Sequence, residues 1–157
     1  MDKHASGKEK KQYVVFKIAS QEFGADIHKV SIIEKAMNIA RVPTTPAYIK
    51  GVVNLRGEII PVMDLRTKFG LEPVEADDDT RIIMFKFNEM TLGLIVDSVA
   101  EVVTFAENEL ESVTSITNDR TLDYIVGIGK VGQRLVTLLN IEKLIADLCA
   151  KDSASER

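Results

Sequence analysis

The sequence predicts a mainly β chain built from two related halves, and three observations carry that prediction. Short β-branched runs recur throughout residues 13–139; two sets of residues repeat at nearly constant offsets; and only two stretches have helical spacing. With 157 residues, 45% of them hydrophobic and 28% charged, the chain holds enough apolar material for one ordinary domain or two very small ones.

In chain order, β-branched and aromatic runs predict strands over 13–18, 51–55, 58–63 and 81–87, then over 92–96, 99–105, 123–128 and 134–139. Glycines or polar pairs separate many of them. After Asp64, a residue type that caps helices, Leu65 and Phe69 stand four apart and Gly70 follows at a left-handed C-cap position, so 65–69 reads as a short helical turn. After Asn140, a second candidate cap, the apolar residues Ile141, Leu144, Ile145, Leu148 and Cys149 form one stripe of a 3.6-residue helix. Residues 1–11 and 151–157 lack periodicity and read as disordered tails around an ordered region of about 12–150.

The two endings are alike because the chain is duplicated. Phe16, Lys17, Gly24 and Val30 lie over Phe85, Lys86, Gly93 and Val99 at a shift of 69. Further on, Tyr48, Gly51 and Asp64 lie over Tyr124, Gly127 and Asn140 at a shift of 76. The polar segment 107–119 absorbs the difference as a loop. Each half, about 12–74 and about 80–150, is expected to supply a small barrel of about five strands, with intertwining of the halves left open. The acidic residues 75–79 fall where the halves join.

Several functions are disfavoured. No apolar run approaches the roughly 18 residues that span a bilayer, and the basic opening is not followed by a secretory pattern, so a cytoplasmic protein without membrane insertion is expected. One cysteine and two distant histidines, His4 and His28, offer neither a disulfide nor a zinc set. A net charge of −4 argues against nucleic acid as a partner. Gly127, Gly129 and Gly132 match G-x-G-x-x-G, but the residues after them read as a strand, so no helix N-terminus is offered to a phosphate. Asp77, Asp78 and Asp79 are consecutive and cannot all face one cation, which favours a solvated linker. His28 beside Asp26 lacks a nucleophile, and Cys149 belongs to an apolar stripe. No cofactor, metal or catalytic residue is expected.

Residues 42–66 are the most specific stretch. Pro43 and Pro46 restrict the entry, and Asn54, Leu55, Arg56 and Gly57 read as a tight corner between two strands, with Gly57 able to take positive φ. Arg56 is thereby displayed where a guanidinium reaches a partner. Pro61 puts its strand at an edge or a bulge. The second copy, 130–133, lacks the arginine, so the fold itself does not require one there.

At this segment the sequence resembles the CheW family, the coupling proteins of bacterial chemotaxis. The family's I-x-G-V-x-N-L-R-G-x-I-x-P-x-x-D-L-R run stands at 49–66, its F-G-x-D-I-x-x-V-x-x-I entry at 23–33, and its ending at 137–144, so the resemblance covers about 12–148. It implies two SH3-like β barrels side by side. It also implies a non-enzymatic adaptor that joins the cytoplasmic tip of a methyl-accepting chemoreceptor to the regulatory domain of the histidine kinase CheA, within membrane-associated receptor arrays. On matching positions it assigns Val30 and Ile33 to apolar receptor contact. Arg56 takes the polar part, Asn54 and Gly57 shape its loop, and Gly51 and Ile59 support the surface. Ile32 stands where some relatives carry an acidic residue, which bears on partner choice. The fold also occurs fused to a receiver domain or inside the kinase; 157 residues hold neither addition, so the stand-alone adaptor is expected.

Overall fold

The computed structural model describes residues 10–112 and 124–155, with side chains through Leu148. Among the described residues, ten strands form two five-stranded sheets. Strands β1 (Lys10–Ile18), β2 (Gln21–Asp26), β3 (Val30–Lys35), β4 (Ile49–Leu55) and β5 (Glu58–Asp64) come from the first half. Helix α1 (Leu65–Lys68) follows, and then β6 (Arg81–Phe87), β7 (Met90–Val96), β8 (Ser98–Ala106), β9 (Ile125–Val131) and β10 (Arg134–Leu139) from the second. Helix α2 (Ile141–Ser155) closes the chain and runs on through residues expected to be tail.

The barrels are not the contiguous halves. One sheet has the order β8-β1-β2-β10-β9 and the other β3-β6-β7-β5-β4, so each half lends its first hairpin to the other half's barrel. We refer to them as barrel A and barrel B. Each lent hairpin is joined across the halves on both sides, antiparallel through β1 with β8 and β6 with β3, and parallel through β2 with β10 and β7 with β5, and the two sets are equivalent under the repeat. Their glycines explain the fit. A Cβ on Gly24 would lie 2.7 Å from Leu138, and one on Gly93 would lie 3.1 Å from Ile82 and 3.2 Å from the Met84 sulfur. Larger residues would collide with each barrel's own filling.

Both barrels close in the same manner. After β3 the chain returns to bridge Ala40 to Val52 on β4, with paired hydrogen bonds of 2.9 and 2.8 Å; after β8, Glu111 bridges Ile128 on β9, both at 2.9 Å. The apolar residues separate into three clusters. One fills barrel A around Val15, Phe105 and Leu138. Another fills barrel B around Val53, Ile60 and Met84. The largest lies between the barrels, where Phe16 and Phe23 meet Phe85, Leu94 and the Leu144 face of α2. Sharing this surface resolves the small-domain problem, since neither barrel alone buries enough.

Both helix starts are capped by side chains. The Asp64 carboxylate accepts from the Arg66 N–H at 3.0 Å and the Asn140 side-chain oxygen accepts from the Lys143 N–H at 3.0 Å. The backbone N–H of each cap donates 2.7 Å to the carbonyl of its own half's tyrosine, Tyr48 or Tyr124. Gly70, at φ +77°, ends α1 where the left-handed cap was expected. Ile141, Leu144, Ile145 and Leu148 are all buried, as the helical stripe requires. The Cys149 side chain and most of the expected loop at 107–119 lie outside the described residues.

Candidate functional site

The β4–β5 hairpin turns through two residues, Arg56 at φ +55° and Gly57 at φ +85°, with Leu55 paired to Glu58. Two successive positive φ values define the tight turn whose twist suits a hairpin. The Asn54 side-chain oxygen accepts from the Gly57 N–H at 3.0 Å and locks the turn. Glycine and asparagine adopt the left-handed region readily, whereas an arginine there is disfavoured by about 1–2 kcal/mol. In the equivalent turn of barrel A, Gly132 holds the matching position at φ +64°. A positive φ at this position is thus filled by the easy residue in one copy and by arginine in the other, although the next residue is at positive φ only in the β4–β5 turn. Arg56 is exposed and makes no hydrogen bond or ion pair among the described residues.

Ile59 is 61% exposed and sits directly across from Asn54, so both side chains leave the same face of the hairpin. Val30 and Ile33 lie on β3, at the opposite end of the hydrogen-bonded order of barrel B. Val30 pairs with Phe85 and packs on the inter-barrel core, and Ile33, 38% exposed, pairs with fully buried Ile83 at that core's rim. The structure therefore groups Asn54, Arg56, Gly57 and Ile59 at one hairpin end and Val30 with Ile33 on one strand, with β6 and β7 between the two groups in the sheet. Gly51 belongs to neither group. It is buried at φ +150°, and a Cβ there would lie 2.1 Å from the Ala40 carbonyl oxygen, so its contribution is to let the barrel close.

Two polar clusters between the barrels escaped the sequence reading. Arg66, at the start of α1, forms a forked pair with Asp97, its Nε donating at 3.2 Å and its Nη2 at 2.7 Å, while Nη1 donates to the Glu72 carbonyl at 2.8 Å. The Asp97 carboxylate also accepts from the Ala19 N–H at 2.8 Å, in the β1–β2 turn. One side chain thus ties α1, the β7–β8 crossing and the first hairpin together. Burial raises the Asp97 pKa, but hydrogen bonds from Arg66 and Ala19 outweigh it and hold the carboxyl below its usual range. Lys68 places its ammonium 4.0 Å from the Tyr48 ring centre and 5.0 Å from that of Tyr124, so the two repeat-related tyrosines share one cation. The Tyr124 hydroxyl donates to Asp147 at 2.6 Å and is the main cause of that carboxyl's lowered pKa. Separations of 23 residues for Tyr124–Asp147, 31 for Arg66–Asp97 and 78 for Ala19–Asp97 leave no local pattern by which such pairs could be found.

The remaining sequence candidates have structural explanations. Gly127 and Gly129 lie inside β9, not in a phosphate loop. A Cβ on Gly129 would strike the Phe105 ring at 2.4 Å, and one on Gly127 would stand 3.1 Å from the Glu111 carbonyl oxygen at the closing bridge. The Asp77 carboxylate accepts from the Asp79 N–H at 2.9 Å in a turn that leads into β6. Asp26 caps the turn at 27–29 by accepting from the His28 N–H at 2.9 Å. Among the described residues no group of His, Cys, Asp and Glu is arranged to hold a metal ion, and no helix is long and apolar enough to cross a membrane.

Comparison with known proteins places this architecture. A family profile described as the CheW-like domain matches residues 12–149. The chain is 34% identical over 135 residues to the chemotaxis protein CheW of Klebsiella aerogenes, covering 86% of this chain and 81% of that one. It is 35% identical over 132 residues to CheW of Bacillus subtilis, covering 84% and 85%. The crystal structure of the scaffolding protein TtCheW from Thermoanaerobacter tengcongensis superposes with a TM-score of 0.76 at 35% identity, covering 88% of each chain. Duplicated and intertwined barrels, a shared inter-barrel core and matches over nearly the whole length converge: the chain belongs to the CheW family of non-enzymatic chemotaxis coupling scaffolds.

Proposed function

We propose that this chain holds the cytoplasmic tip of a methyl-accepting chemoreceptor to the regulatory domain of a CheA-type histidine kinase. The observation that carries the receptor assignment is Arg56 in a left-handed turn position that the second copy fills with Gly132. An arginine kept at a conformational cost, exposed and unpartnered among the described residues, is a group held ready for another molecule. Val30 and Ile33 offer apolar anchorage at the rim of the inter-barrel core, Ile59 extends the apolar surface beside Arg56, and Asn54 and Gly57 hold the turn. Gly51 acts indirectly, through barrel closure.

An amphipathic receptor helix gains affinity by burying apolar residues against such a surface, while the guanidinium sets its register by pairing with a carboxylate or a backbone carbonyl. Influence on the kinase then requires that the assembly bind the kinase's active and inactive states unequally. Recruitment to receptor arrays at the cytoplasmic face of the membrane follows from the partners. The deciding experiment captures a cytoplasmic chemoreceptor fragment and a CheA-type kinase with wild type and Arg56→Glu, matched by circular dichroism. The proposal expects the variant to lose receptor capture and to retain the kinase. Failure of the folded wild type to capture either partner refutes it.

A further inference from the structure

A cavity of about 300 Å³ opens at the end of barrel B, at the small end of the ~300–1,000 Å³ range of ligand pockets. Its apolar walls are Ile82 and Ile95 from the sheet, Met37 and Ile39 from the chain after β3, and Val74 from the segment joining the halves. Lys50, Asp64, Arg66, Asp97 and Glu75 supply the charges.

The repeat provides an internal control. Shifts of 69 and 76 place Tyr13, Asp26, Val126 and Asn140 in barrel A at the positions of Ile82, Ile95, Lys50 and Asp64 in barrel B, and those four residues line a cavity of about 230 Å³. In that copy the position of apolar Ile95 is held by Asp26, ion-paired with Lys11 at 4.0 Å, and Lys29 pairs with Glu142 at 2.9 Å much as Arg66 pairs with Asp97 in barrel B. The fold therefore does not dictate an apolar wall at this place; barrel B has Ile82 and Ile95 there, and barrel A has Tyr13 and Asp26.

The charges narrow the occupant. Arg66 and Asp97 satisfy each other. Asp64 Oδ1 is occupied by the Arg66 N–H. Among the described residues the Lys50 ammonium makes no hydrogen bond, and its one ionic neighbour is Asp64, at 4.0 Å. Glu75 is exposed and has no partner among the described residues. A lone anion would meet two acidic groups here, and a lone cation would meet Lys50. A zwitterion answers both, with its carboxylate at Lys50, its ammonium at Glu75 and its apolar body against the wall formed by the paired Ile82 and Ile95. We propose that the barrel B cavity binds a small apolar zwitterion of the size and chemistry of a free aliphatic amino acid.

The test is a 1H–15N titration of the full chain with L-leucine and L-methionine, alongside L-leucinamide, which lacks the carboxylate, and N-acetyl-L-leucine, which lacks the ammonium. Saturable shifts are expected at Lys50, Val74 and Ile95 and not at Val126 or Asp26. Each derivative should bind at least about tenfold more weakly than leucine, the scale of one charge-assisted hydrogen bond. Lys50→Met should abolish the discrimination against leucinamide, and Glu75→Gln that against the acetylated form. Both side chains are on the surface, so folding is not at stake. Absence of saturable shifts up to about 10 mM, where a site of 1 mM affinity would be nine-tenths full, overturns the proposal. So does equal affinity for leucine and leucinamide, or a response centred on barrel A.

Discussion

Replacing Arg56 with asparagine should make the protein more stable and less functional. The turn demands positive φ at this residue, and Arg56 sits at +55°. An ordinary side chain in that region is disfavoured by about 1–2 kcal/mol, and asparagine is among the few that tolerate it. No internal contact offsets the gain, because Arg56 makes no hydrogen bond or ion pair among the described residues. Asn-Gly is also the preferred dipeptide for this turn. The net expectation is a stabilisation of about 1 kcal/mol, which for a domain of this size corresponds to a rise of roughly 2–4 °C in Tm. Urea unfolding at unchanged slope and a thermal melt measure the stability, and capture of a cytoplasmic receptor fragment measures the function. Opposite movement of the two is the predicted signature. A variant that is destabilised by 1 kcal/mol would show that the arginine contributes contacts in the folded state. A variant that is stabilised but captures receptor as wild type does would show that the left-handed arginine has no bearing on receptor binding.

Other expectations follow from the same geometry. Gly129→Ala places a methyl where the Phe105 ring already stands, at 2.4 Å; denaturant unfolding should register a loss of about 1–3 kcal/mol, the cost of overpacking, and nucleotide titration should produce no thermal shift in wild type or variant. Asn140→Ala removes the α2 cap at 3.0 Å from the Lys143 N–H and should cost about 1 kcal/mol by the same measurement. Because Asp97 is held below its usual pKa by Arg66 and Ala19, its contribution is fully present above the normal carboxyl range and is lost as pH falls through the depressed value. The stability gap between wild type and Asp97→Asn should therefore be widest near neutrality and close in acid; a gap that does not depend on pH contradicts the assignment.

Much of the fold was legible because local chemistry repeats over short distances. The β-branched runs yielded eight of the ten strands. β2 and β3 escaped, since β2 is six residues interrupted by Gly24 and Asp26, and β3 mixes Ser31, Glu34 and Lys35 into its apolar residues. The helix starts were readable from Asp64 and Asn140 because a cap acts on N–H groups only two or three residues away. Arg56 was readable as a displayed side chain because a two-residue turn is a local event, and the second copy served as its own comparison.

What the amino-acid sequence by itself determined is thus most of the strands, the duplication, the capped helices and the exposed turn. Tertiary structure decided which strands meet. Exchange of the first hairpins between barrels depends on burying one apolar surface common to both halves, and no short-range period encodes that choice. Gly51 and Gly129 acquired their reasons in the same way, from Ala40 and Phe105, which approach them only after the barrels close. The Arg66–Asp97 fork, the shared Lys68 and the unequal cavities of the two barrels likewise exist only through contacts between distant segments. Side-chain type is written locally, but the partner that gives it meaning is selected by the packing of the whole chain.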